Sequence, residues 1–167
     1  MWCDSQLDLL RVFTIVLADN LPRENTDAIY LVGNTPDMEE SIIARGALLY
    51  HERRARELYV GGYPDGGPYI PPQSADKVVA YSGFDAWKRQ LETRGVSSKD
   101  IVNIPYPSGI VHTGAEVESM MAFAKKEGWR SLTLVAWPAH LLRAFTNTIT
   151  FVIRSYPELK VYAVQGV

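Results

Sequence analysis

The feature that most constrains this chain is a repeated alternation. Short apolar runs, the first three ending in glycine or proline, are separated by stretches long enough to form helices. Asp27-Ala-Ile-Tyr-Leu-Val-Gly33 is the first such run, and Arg56-Glu-Leu-Tyr-Val-Gly-Gly62 is the second. Ile101-Val-Asn-Ile-Pro105, Leu132-Thr-Leu-Val-Ala-Trp137 and Val161-Tyr-Ala-Val164 complete the set. A continuous apolar run of this length reads as a strand buried on both faces, as parallel strands are. A parallel neighbour requires a helix-sized crossover, and right-handed crossovers leave few topologies. The pattern therefore predicts an α/β domain in three layers. It has about five mainly parallel strands with helices on both faces, and the first and fourth strands lie side by side at the switch point.

The helices between the runs carry their own signals. Thr35 is placed to cap a helix that runs to about Arg54, with Pro36 in its first turn and Ile42, Ala44, Leu48 and Leu49 as its apolar side. His51, Arg53, Arg54 and Arg56 suit the negative end of its dipole. Ser82 is placed to cap a helix from Gly83 to Arg94, and Thr113 to Lys126 turns Val117, Met120, Met121 and Ala124 inward. The stretch from Ala144 to Ile153 is rich in β-branched residues, which favour strands. Leu141, Phe145, Thr148 and Val152 nevertheless fall at helical spacing, and the crossover to the last strand needs a helix here. Trp87 and Trp129 read as packing residues.

Two segments stand outside the alternation. Residues 1–22 read as an N-terminal amphipathic helix that Asn20-Leu21-Pro22 ends. Its apolar stretch, Leu9 to Ala18, contains Arg11 and follows Asp4 and Asp8, which suits neither a signal peptide nor a membrane span. Residues 63–81 hold Pro64, Gly66, Gly67, Pro68, Pro71 and Pro72 and read as a loop without a packed element, a partial lid over the carboxyl ends of the strands. The whole chain, 1–167, is expected to be one domain.

Composition bounds the function classes. Seventeen basic and nineteen acidic residues give a net charge of −2, which supplies no basic field for nucleic acid or for an anionic membrane surface. The single cysteine, Cys3, excludes an internal disulfide and a cysteine-only metal cage, and a cytoplasmic setting is expected. No spacing of His, Cys, Asp or Glu reads as a metal site. No dinucleotide fingerprint, phosphate-binding lysine loop or serine nucleophile elbow is present.

Ligands of such folds bind outside the carboxyl ends of the strands. Trp137-Pro-Ala-His140-Leu-Leu-Arg143 follows the fourth run, and His140 and Arg143 share one helix face at i and i+3. His140 is suited to proton transfer near neutral pH, and Arg143 to gripping a carboxylate or phosphate with two parallel bonds. His112-Thr-Gly-Ala-Glu116 offers a general base in Glu116, with His112 and Thr113 at a helix start that favours anions. The plainer reading of the same residues is a capping box, with Thr113 as cap and Glu116 reaching back. Gly33, Asn34, Gly61 and Gly62 stand where backbone approaches a ligand or turns sharply. Arg45 reads by itself as part of a solvated helix face.

Four stretches together resemble the YdcF/SanA/ElyC-like family of bacterial proteins. These are Asp27 to Gly33, Arg45-Gly-Ala-Leu-Leu-Tyr50, Thr113-Gly-Ala-Glu116 and Trp137 to Ala144. The chain differs from the family pattern at Asn34, where a further glycine is usual, and at His112, where asparagine is common. Asp85 is the nearest acid in the helix after strand two. The resemblance implies a Rossmann-like fold with a polar pocket built from Gly33, Arg45, Thr113, Glu116, His140 and Arg143. Three functions stay open. One is a hydrolase or transferase acting on an anionic small molecule, nucleotide-like or a sugar phosphate. The others are a non-catalytic binding or regulatory module, and an interaction protein that uses the 63–81 loop.

Overall fold

The computed structural model of the chain describes residues 21–63, 68–69, 78–79, 81–106 and 112–167, with backbone alone at 68–69 and 78–79. The N-terminal helix expected up to residue 20 lies outside them. The first strand, β1 (Ala28–Leu31), leads to α1 (Pro36–His51) and β2 (Leu58–Gly61). Next come β3 (Pro68–Tyr69), β4 (Val78–Val79), α2 (Phe84–Thr93) and β5 (Ile101–Ile104). The chain then forms α3 (Thr113–Glu127), β6 (Ser131–Ala136), α4 (Pro138–Ser155) and β7 (Lys160–Gln165). Five strands form one parallel sheet in the order β5-β2-β1-β6-β7. β1 pairs with β6, Ala28 opposite Leu132 and Leu31 opposite Val135, so the switch point falls between the first and fourth sheet strands, as the alternation predicts.

Strand periodicity sorts the core into two halves. Ala28, Tyr30 and Val32 face one side with Leu132, Leu134 and Ala136, under Val117, Met120 and Met121 of α3 and Leu141 and Ala144 of α4. Ile29 and Leu31 face the other with Leu58, Val60 and Val135, under Ile42, Ile43 and Leu49 of α1 and Trp87 and Leu91 of α2. The result is a three-layer, Rossmann-like α/β fold. No helix among the described residues is long and apolar enough to cross a membrane.

Three local expectations need correction. On α1 the inward face is centred on Gly46, where an added Cβ would come 2.6 Å from a methyl of Leu31. At 100° per residue this turns Ile43 fully inward and leaves Leu48 43% exposed. The start of α2 is capped by Gly83, at φ 96°, rather than by Ser82. Within 63–81, β3 and β4 pair antiparallel, so this segment is not wholly without regular structure; its other residues from 64 to 80 lie outside those described.

The helical reading of 138–155 holds despite its β-branched content. Thr148 and Thr150 turn their hydroxyls onto the carbonyls of Ala144 and Thr146, four residues back, so their polar groups are satisfied within the helix.

Candidate functional site

Because the sheet is parallel, α1, α3 and α4, which follow β1, β5 and β6 in the chain, all start at the carboxyl end of the sheet. A cavity of about 260 Å³ lies among them. Its lining includes Gly33 and Asn34 after β1, His112, Thr113 and Glu116 at α3, and His140 and Arg143 on α4.

The turn after β1 is held from across the fold. The Gly33 amide donates to Glu116 Oε1 at 2.8 Å, and the Tyr30 hydroxyl donates to the same oxygen at 3.1 Å. Glu116 therefore does not form the capping box that local sequence suggests. The cap of α3 is His112, whose Nδ1 accepts the Ala115 amide at 3.1 Å, and Thr113 is the first helical residue. His112 lines the cavity, but this ring nitrogen serves the helix.

Burial governs the ionisation of Glu116, which is 5% exposed. Removal from water raises its pKa from 4.5 to about 7. The Gly33 amide, the tyrosine hydroxyls of Tyr30 and Tyr106, and the charge of Arg143 pull in the opposite direction and only partly compensate. A carboxyl at this value can hold or release a proton at neutral pH.

His140 is 7% exposed and bonded on both ring nitrogens. Asn34 lies 3.4 Å from Nδ1, and the Thr113 hydroxyl 3.1 Å from Nε2. The Asn34 carbonyl oxygen accepts the Thr35 amide at 2.9 Å, so its amino group is the end that faces His140. Nδ1 then accepts, Nε2 carries the proton, and Thr113 receives it. Burial first, and the positive charge of Arg143 second, lower the His140 pKa from 6.5 to about 4, so the ring is neutral. With its oxygen accepting from His140, the Thr113 hydroxyl keeps its own proton for another partner. Arg143, one turn along α4, is exposed and lines the same cavity.

Three residues expected at the site are not part of the lining. Arg45 is partly buried on the flank of α1. Gly61 and Gly62 make room for aromatic rings rather than for a ligand. A Cβ on Gly61 would stand 2.1 Å from the Tyr30 hydroxyl and 2.7 Å from that of Tyr106. On Gly62, at φ 110°, it would stand 2.7 Å from the Tyr81 ring. Tyr81 and Tyr106 both line the cavity; the order of elements puts Tyr106 at the carboxyl end of the sheet, but neither was among the expected site residues. Tyr81 closes the 63–81 segment, so one end of the expected lid does meet the cavity. Burial keeps the hydroxyls of Tyr30, Tyr81 and Tyr106 protonated, well above the usual tyrosine range. Tyr106, two residues past the end of β5, carried a signal in its position, since it enters the loop at the carboxyl end of the sheet; Tyr81 carried none.

A larger hollow, about 930 Å³, opens at the opposite end of the sheet between Asp27, Tyr50, Arg56 and Asp100. There Tyr50 donates to Asp100 at 2.7 Å and the His51 ring bonds the Arg94 carbonyl at 2.8 Å, and no residue expected at the site reaches it. Among the described residues no group of three His, Cys, Asp or Glu side chains is arranged to hold a metal ion. Comparison with family models, with curated proteins and with solved structures returns no match to this chain.

Proposed function

We propose that the chain binds an anionic small molecule, nucleotide-like or a sugar phosphate, at the carboxyl end of its sheet, and that it acts on it as a hydrolase or transferase. The observation that carries this reading is the meeting of Arg143, Thr113, His140 and Glu116 on one cavity at the β1–β6 switch point. The resemblance to the YdcF/SanA/ElyC-like family supports it from the same residues. In this reading Arg143 grips the anion with its planar donor fork, and the helix starts add backbone amides and favourable dipole ends. The free proton of the Thr113 hydroxyl gives a further donor. Glu116 accepts or returns a proton at neutral pH. An anion beside His140 favours its charged form, so the ring gains the capacity to take a proton when the ligand is bound. The cavity lies just below the usual range of about 300–1,000 Å³ for small-molecule pockets, so it suits the charged end of such a ligand.

A second reading, a binding module without turnover, is favoured by one observation. Glu116 Oε1 and both nitrogens of His140 already have partners within the fold. Calorimetric titration with inorganic phosphate, nucleoside monophosphates and sugar phosphates, together with an assay of product release, separates the two. Arg143→Lys keeps the charge and loses the paired geometry. It is expected to weaken binding by about 1–3 kcal/mol, or roughly five- to 150-fold. His140→Asn is expected to spare most of the binding and to reduce turnover. Unchanged affinity in a well-folded Arg143→Lys variant would remove the anion reading. Saturable binding without product would leave the module.

A further inference from the structure

We infer that the Tyr81 hydroxyl is a further ligand contact of this cavity, donating a hydrogen bond to an oxygen of the bound anion; this rests on the anion-binding reading above. Tyr81 is 2% exposed and lines the cavity with Arg143 and Thr113. Its hydroxyl is buried and has no hydrogen-bond partner among the described residues. Buried hydroxyls are ordinarily satisfied, and one left alone beside a cavity points to a partner that the cavity supplies. Burial, then the negative fields of Glu116 and Glu39, keep this hydroxyl protonated. Its free proton therefore suits an acceptor oxygen, such as one on an anion held by Arg143 across the same cavity.

The ring is held in place from three sides. It lies 5.5 Å from Trp87, inclined at 57°. Gly62 has no Cβ to displace it. The next residue, Ser82, donates its amide to the buried Glu39 carboxylate at 2.9 Å and its hydroxyl to the other carboxylate oxygen. A contact fixed before the ligand arrives loses little freedom on binding.

Tyr81→Phe removes the hydroxyl and keeps the ring. Thermal unfolding of the full chain, with and without inorganic phosphate, measures both stability and phosphate affinity. In phosphate-free buffer the variant is expected to unfold at the parent's temperature or slightly above it, because no bond is lost. Its phosphate affinity is expected to fall about ten-fold. A lower unfolding temperature without phosphate, whatever the affinity, overturns the inference by showing that the hydroxyl serves the fold. Parent-like phosphate affinity also overturns it. If Arg143→Lys weakens phosphate binding while Tyr81→Phe does not, only this inference fails. If phosphate does not stabilise the parent, the anion reading and this inference fail together.

Discussion

Glu116 and His140 should make opposite contributions to stability as pH changes, and replacing one should expose the other. The Glu116 carboxyl has its ordinary pKa of 4.5 in the unfolded chain and about 7 in the folded one. Between these values the unfolded chain has released the proton that the folded chain still holds, so stability falls as pH rises. At about 1.4 kcal/mol per tenfold change in proton affinity, the full loss is about 3 kcal/mol, complete above pH 7. His140 has the reverse sign. Its pKa is 6.5 unfolded and about 4 folded, so the unfolded chain takes up a proton first as pH falls through this range. Its contribution is fully present above pH 6.5 and is lost toward pH 4. Solvent in the cavity reaches this ring, and a discounted figure of about 1–2 kcal/mol is appropriate. The two effects oppose each other in the parent between about pH 4.5 and 6.5. Glu116→Gln keeps the shape and an acceptor oxygen but cannot ionise. Urea unfolding followed by circular dichroism, from pH 4.5 to 7.5, should show the stability of Glu116→Gln rising against the parent by about 3 kcal/mol across that window. The corresponding difference for His140→Asn should fall by about 1–2 kcal/mol from pH 4 to 6.5. A flat difference for Glu116→Gln would mean that the carboxyl ionises in the fold as it does in water, and would refute the desolvation argument.

Two further substitutions test the frame around the site. Gly61→Ala would force a methyl between the hydroxyls of Tyr30 and Tyr106, displacing the Tyr30 bond to Glu116; a loss of about 1–3 kcal/mol in urea unfolding is expected. Arg53, at φ 59°, occupies the left-handed position after α1, where the Arg54 amide bonds the Leu49 carbonyl and the Arg53 amide that of Tyr50. Glycine adopts this conformation without strain, so Arg53→Gly should raise stability by about 0.5–1 kcal/mol in thermal or urea unfolding and leave phosphate binding unchanged.

Much of the frame was legible in the order of residues. Short apolar runs separated by helix-sized stretches point to a parallel sheet, because such strands must be covered on both faces. The crossover from β6 to β7 made a helix of residues that locally favour strand. The same order brings Gly33, Thr113, Glu116, His140 and Arg143 to one end of the sheet, because every loop that follows a parallel strand emerges there. What local sequence could not decide was where individual polar groups would spend their bonds. Thr113 and Glu116 have the spacing of a capping box, yet His112 caps α3, and Glu116 turns to an amide and a hydroxyl more than eighty residues away. Gly61 and Gly62 read as glycines that admit a ligand, but they admit three tyrosine rings. Each of these outcomes is a choice between hydrogen bonds or contacts of similar strength. Local spacing offers the alternatives, and only the approach of distant elements, with the burial it imposes, determines which one leaves the fewest polar groups unsatisfied.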